Sequence, residues 1–171
     1  SLGWNNTDVT ITFSATDTFS GVAQVTQPQT ITTEGASQQI GGEAIDLAGN
    51  RATTYVTINL DKTAPQITIT TPASQAEYLL NQLVTANWTV VDSLSGIGSS
   101  SATTPSGQAL NTASVGTKTF KVSSLDNAGN QSEKLTTYYV RYNFGGILPP
   151  INPDGSSIFK LGRVLPVKIH L

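Results

Sequence analysis

Two turn motifs occur twice in this chain, in the same order. Asp17-Thr18-Phe19-Ser20-Gly21-Val22 is followed by Asp46-Leu47-Ala48-Gly49-Asn50, and the pair returns as Asp92-Ser93-Leu94-Ser95-Gly96-Ile97 and Asp126-Asn127-Ala128-Gly129-Asn130. The offsets are 75 and 80 residues in a chain of 171. Apolar side chains fall in short alternating runs around each motif. Duplication at that period indicates two small β domains in tandem rather than one enzyme core.

Alternation locates the strands. Val9, Ile11, Phe13 and Ala15 alternate with Thr10, Thr12 and Ser14, which predicts a strand over 9–15 with one face inward. Ala52, Thr54, Val56, Ile58 and Leu60 predict a second strand, and Ile40, Gly42 and Ala44 a third. Thr33-Glu34-Gly35-Ala36 is expected to turn between strands near 28–33 and 37–45. Asp61-Lys62-Thr63-Ala64-Pro65 interrupts the pattern. Proline cannot donate to a ladder and biases the residue before it to extended backbone, so a short stiff linker is expected there. Ile67 and Ile69 open the second copy. Val84, Ala86, Trp88 and Val90, then Phe120 and Val122, then Tyr138, Val140 and Tyr142 continue it. Apolar residues nowhere recur at helical spacing with caps around them. The expected fold is all-β: two tandem immunoglobulin-like β-sandwiches, residues 1–64 and 65–142, then a C-terminal strand segment over 143–171.

At these residues the chain resembles the bacterial immunoglobulin-like repeats of large surface and secreted proteins, in which an Asp-x-x-Ser-Gly turn, an Asp-x-Ala-Gly-Asn turn and an Asp-Lys-Thr-Ala-Pro linker recur. The resemblance covers residues 5–142. The tail from Tyr142 through Ile169 is similar to the opening of the module named for a Pro-x-Lys-Phe signature, with Ile169 where the phenylalanine would stand. The resemblance implies a non-enzymatic structural protein of the cell surface or extracellular space. Its role would be a spacer or building block of a bacterial surface appendage or filament, its partners other copies of itself or adjacent modules of a larger protein.

Composition bears on the same question. With 12% charged residues and a net charge of −2, the chain has no basic field for nucleic acid. Cysteine and methionine are absent, and Thr, Ser, Asn and Gln stand where Lys and Glu would cover a surface, which fits life outside the cell. No run approaches the 18 to 20 apolar residues of a membrane span, and Ser1-Leu2-Gly3-Trp4 has no signal-peptide pattern, so a piece of a longer modular protein is expected.

The repeated aspartates have two readings. One is turn chemistry: the carboxylate accepts backbone N–H groups across the turn, and glycine takes the positive φ. The other joins Asp17, Asp46 and Asp61, or Asp92 and Asp126, with loop carbonyls as oxygen ligands for calcium, the one cofactor considered. After each Asp-x-x-Ser-Gly, Val22 or Ile97 is expected to enter the core. Catalysis is not expected. His170 is the sole histidine, no Gly-x-Ser-x-Gly elbow exists, and Glu34, Glu43, Glu77 and Glu133 have no aromatic groove around them. Trp88 falls in register with core positions. Trp4 and one of Tyr138 or Tyr139 are the surface aromatics a carbohydrate would stack on, which makes an adhesin or carbohydrate-binding accessory module the alternative function.

The tail holds two strand-like runs, too few to close a core. Its apolar residues Ile158, Phe159, Leu161, Val164, Leu165, Val167 and Ile169 are the expected assembly contacts, donated to an open sheet edge of the same chain or a neighbour. Pro149-Pro150 and Pro153 keep the connection extended.

Overall fold

The computed structural model describes residues 3–148, 151, 152, 154, 156–158, 162, 164 and 167–170. Those residues contain strands and no helix, so the chain is all-β. Thr- and Val-rich alternating segments favour extended backbone, and Gly, Asn and Asp clusters end them.

The first copy forms β1 (Val9–Ile11), β2 (Val22–Val25), β3 (Gln29–Ile31), β4 (Gly35–Asp46) and β5 (Arg51–Leu60). One sheet is β1-β3 and the other β2-β4-β5, with all of these pairs antiparallel. Residue Asn5 adds a parallel bridge to Leu60. The second copy forms β6 (Gln66–Thr71), β7 (Ala76–Leu79), β8 (Asn87–Val91), β9 (Ile97–Ala102), β10 (Gly116–Asp126) and β11 (Gln131–Arg141). Its sheets are β6-β8 and β7-β11-β10-β9, with β7 parallel to β11. Two sheets per copy, linked by connections that pass from one to the other, make each an immunoglobulin-like sandwich.

By backbone proximity the chain divides into two compact units. One comprises Ser1–Ile69, Trp88–Thr103 and Lys121–Lys134, and therefore takes in the first copy, the linker and both aspartate turns of the second. The other comprises Thr70–Asn87, Thr104–Phe120 and Leu135–Leu171.

The turns form as their chemistry predicts. Asp46 and Asp126 close the β4-β5 and β10-β11 connections, with Gly49 at φ 92° and Gly129 at φ 101°. Both copies also place one extra residue between the first two register pairs of the strand that follows the Asp-x-x-Ser-Gly turn. Ala23 is skipped between Val22↔Asp46 and Gln24↔Ile45, and Gly98 between Ile97↔Asp126 and Ser99↔Leu125. Bulges of this kind bend a strand and re-aim its neighbours. At Gly98 the bend brings the backbone so close that a Cβ would lie 2.8 Å from the Asp126 carbonyl oxygen.

Several expectations need correction. The strand over 9–15 ends at Ile11, because residues 12–16 have the alternating pattern but no ladder partner among the described residues. Thr33 to Ala36 does not close a hairpin: β3 and β4 lie in different sheets, so the segment crosses between them. Val22 and Ile97 stay 38% and 37% exposed instead of entering the core, since each sits at the bulge. Strand β9 carried no apolar alternation to reveal it, only Gly98-Ser99-Ser100-Ser101.

In the tail, β12 (Gly146–Leu148) pairs antiparallel with β13 (Lys168–His170), which includes Ile169. Ile158, Val164 and Val167 are exposed. Phe159, Leu161 and Leu165 lie outside the described residues.

Candidate functional site

Three aspartates from distant parts of the sequence meet within the first unit. Carboxylate oxygens of Asp61, Asp92 and Asp126 all lie within 4.8 Å of one another, and Asp61 and Asp126 are buried. Sequence reasoning placed Asp61 with Asp17 and Asp46; the structure places it with Asp92 and Asp126 instead. The linker leaves β5 toward the second copy, so its first residue arrives at the second copy's turns.

Each carboxylate is held by the local chain. Asp92 Oδ1 accepts N–H bonds from Leu94 (3.2 Å) and Gly96 (2.6 Å), closing the Asp-x-x-Ser-Gly turn. Asp126 Oδ1 accepts from Gly129 (2.6 Å) and Asn130 (2.8 Å), and its Oδ2 from the Asn130 side-chain amide (2.7 Å). Asp61 Oδ1 accepts from Thr63 N–H (3.0 Å) and Oδ2 from Ser95 N–H (2.9 Å). The Asn130 amide also donates to the Asp61 carbonyl at 2.8 Å, and the Asn127 amide to the Ser95 carbonyl at 2.8 Å. The linker aspartate is thereby stitched into both turns of the second copy.

The other side of the linker is anchored too, through a residue that sequence reasoning weighed as a turn residue and a catalytic carboxylate. Glu34 accepts from the Lys62 backbone N–H and from the Thr63 hydroxyl at 3.0 Å. Lys62 Nζ pairs with Asp8 (2.8 Å) and donates to the Thr32 carbonyl (2.7 Å), and Asp61 N–H donates to the Asn5 carbonyl (2.9 Å). The missed signal is the crossing segment itself. A glutamate between two sheets of a sandwich sits at its end, where the linker leaves.

Electrostatics at the cluster are unfavourable without a counter-charge. Unit charges no more than 4.8 Å apart repel by roughly 3 kcal/mol or more at an effective dielectric of about 20. None of the ion pairs found among the described residues reaches these three groups. The backbone and amide N–H donors offset part of the repulsion. The donor set is all hard oxygen, and three oxygens bound to one ion at the 2.3–2.6 Å of calcium lie no more than about 4.5 Å apart when evenly spread, a separation the 4.8 Å limit admits, with carbonyls or water needed for the remaining positions. The residues present therefore fit such an ion.

Asp17 and Asp46 make the same turns without a third carboxylate. Asp17 Oδ1 accepts from Gly21 N–H (2.6 Å), Phe19 N–H (3.1 Å) and the Ser20 hydroxyl (3.3 Å). Asp46 accepts from Asn50 N–H (2.8 Å) and the Asn50 amide (2.7 Å). Both carboxyls are held below their ordinary range, Asp17 chiefly by the Gly21 N–H and Asp46 chiefly by the Asn50 side chain. Among the aromatics, Tyr138 is buried, donates its hydroxyl to the Asn111 carbonyl (3.0 Å) and meets Tyr78 edge to face. Trp4, Trp88 and Tyr139 are half-buried. Among the described residues no helix is long and apolar enough to cross a membrane.

No protein-family model matches the chain, and no curated protein matches it. Among solved structures it is similar to the fibronectin(III)-like modules of CbhA from Clostridium thermocellum. The two share 15% identity over 81% of this chain and 87% of that one, at a TM-score of 0.37, a likeness too remote to bear on function.

Proposed function

We propose that the chain is a non-enzymatic spacer element of a larger extracellular or cell-surface assembly, built so that its linker is held and not hinged. The observation that carries this reading is the two-sided anchoring of residues 61–63. Glu34, Asp8 and Asn5 bind them from the first copy, and Ser95 and Asn130 from the second. A connection with six or more polar contacts resists bending more than a free five-residue link, which suits a part whose work is to keep distance. Calcium at Asp61, Asp92 and Asp126 would stiffen it further by neutralising the three charges.

Trypsin supplies the test, because Lys62 is an exposed residue of the linker. Cleavage at Lys62 should be slow in the native chain and at least about tenfold faster in the Glu34→Ala, Asp61→Ala double variant, since opening free energy sets the rate. Equal rates would refute the held linker. Separately, millimolar calcium should raise the melting temperature and a chelator lower it, with the increment gone in Asp92→Asn. No increment would remove the ion and leave the anchoring untouched.

A second reading, assembly through the tail, is favoured by the 96% and 98% exposure of Ile158 and Val164. Apolar side chains so placed in a strand-rich tail call for a neighbouring sheet. Sedimentation should show concentration-dependent association that disappears on deleting residues 158–171.

A further inference from the structure

Both Asp-x-x-Ser-Gly turns carry a serine at the same place, Ser20 and Ser95, and the two hydroxyls behave differently. Ser20 donates to Asp17 Oδ1 at 3.3 Å and helps hold the Asp46 carboxyl below its ordinary value. Its hydroxyl therefore points between the two turn carboxylates of its copy. Ser95 takes that position in the second copy, where three carboxylates meet, and is only 8% exposed. Its Oγ is buried and hydrogen-bonds to none of the described residues.

The backbone sets Ser95 among those carboxylates. Its N–H donates to Asp61 Oδ2 (2.9 Å), and the N–H groups of its neighbours Leu94 and Gly96 donate to Asp92 Oδ1. Its carbonyl accepts from the side chain of Asn127, the residue after Asp126. A buried hydroxyl beside three carboxylates has acceptors at hand, so bonding to none of them is unfavourable and calls for a partner of another kind. With its proton withheld from the carboxylates, the serine oxygen keeps two lone pairs for that partner. Carboxylate and hydroxyl oxygens together form a ligand set for a hard cation.

We infer, on the reading that these aspartates hold an ion, that Ser95 Oγ is the fourth protein oxygen of a calcium site whose other three are carboxylate oxygens of Asp61, Asp92 and Asp126. Asp61, Asp126 and Ser95 are buried and Asp92 is half-buried, so the site opens to water on the Asp92 side, where solvent completes the six to eight ligands calcium takes. Magnesium dehydrates reluctantly and is seldom held in an all-protein cage, which favours the larger ion. The hydroxyl adds a ligand without adding a fourth negative charge. In the first copy the Ser20 hydroxyl is already bonded to Asp17, and no third acidic group joins Asp17 and Asp46 among the described residues.

Calorimetric titration of the whole chain with calcium chloride, beside thermal melting in calcium and in chelator, tests the assignment. The native chain should bind a single calcium, and the Asp17→Asn, Asp46→Asn double variant should bind it equally well. Ser95→Ala should bind at least about tenfold more weakly. In chelator it should melt no lower than the native chain, because it deletes an unpartnered buried hydroxyl, yet it should gain less on adding calcium. A hydroxyl that served only the fold would instead lower both melts alike. Ser95→Cys should weaken calcium and tighten cadmium, since a soft sulfur replaces a hard oxygen, and this reads the ligand even where alanine disturbs the turn. Native affinity for both ions in both variants would overturn the role of the serine and leave the three aspartates as the site. Binding that survives Asp92→Asn, or no binding by the native chain in millimolar calcium, would overturn the ion itself, while the tryptic rate at Lys62 would still report on the held linker.

Discussion

Phe120, Tyr138 and Ala86 of the second sandwich are buried, while their counterparts in the first, Ile40, Ile58 and Ile11, are only partly buried. The turns that flank them are nearly the same in sequence and in hydrogen bonding. Local turn chemistry therefore forms in either setting, because an aspartate and the N–H groups two to four residues on need nothing else. Core burial does not transfer in this way. It depends on a covering strand, and the second sandwich has β6 and a full β7 where the first has the single bridge at Asn5. Sequence duplication has preserved the parts that are local, whereas burial depends on which strands lie beside each sheet.

The comparison is most easily broken at the paired core positions. Phe120→Ala should cost about 3–5 kcal/mol, the range for emptying a wholly buried aromatic site. Ile40→Ala, at the matching place in β4, should cost about 1–2 kcal/mol, because Ile40 is only partly buried. Urea unfolding followed at Trp88 and Trp4 reads the two copies separately, and equal costs would show that the first core is as closed as the second.

The bulges provide a smaller contrast. Gly98→Ala should cost about 1–3 kcal/mol, since its Cβ would be forced against the Asp126 carbonyl and backbone cannot yield as a side chain does. The reverse change at the matching bulge, Ala23→Gly, should cost about 0.5–1 kcal/mol, from chain entropy alone. Thermal melting of the two variants distinguishes a bulge that requires glycine from one that tolerates a side chain.

Acid should reveal the smallest difference. The carboxyls of Asp17 and Asp46 are held below the ordinary value of 3.8 by N–H donors in the folded turn. The folded state thus stays ionised at a pH where the unfolded chain takes up protons. Their contribution is present above about pH 4 and is lost as pH falls through the lowered folded value. Both groups are open to solvent, so the effect is a slope and not a collapse. Asp17→Asn with Asp46→Asn should flatten the decline in first-copy stability between pH 4 and pH 2, read as melting temperature against pH.

Much of the fold was legible from periodicity. Strands β4, β5, β6, β10 and β11 alternate over enough residues to be read directly, and both Asp-x-Ala-Gly-Asn turns sit where their glycines require. Strand β9 was not legible, because Ser99, Ser100 and Ser101 differ in facing but not in polarity. The strand over 9–15 was legible as a pattern and still stops at Ile11, since alternation describes which face is apolar and not whether an edge has a partner. Of the candidate site, all five aspartates could be named, but their grouping could not. Asp61 lies 15 residues from Asp46 and 65 from Asp126, yet joins the latter.

By itself the sequence determined the all-strand class, the duplication, the turns and the place of the linker, because each rests on interactions between residues a few positions apart. Only the tertiary structure decided that Asp61 belongs to the second pair of turns, that Glu34 anchors the linker, and that residues 12–16 pair with no strand among the described residues. Those outcomes depend on which strand ends arrive together when two sheets stack, and chain direction through the linker sets that where sequence distance does not.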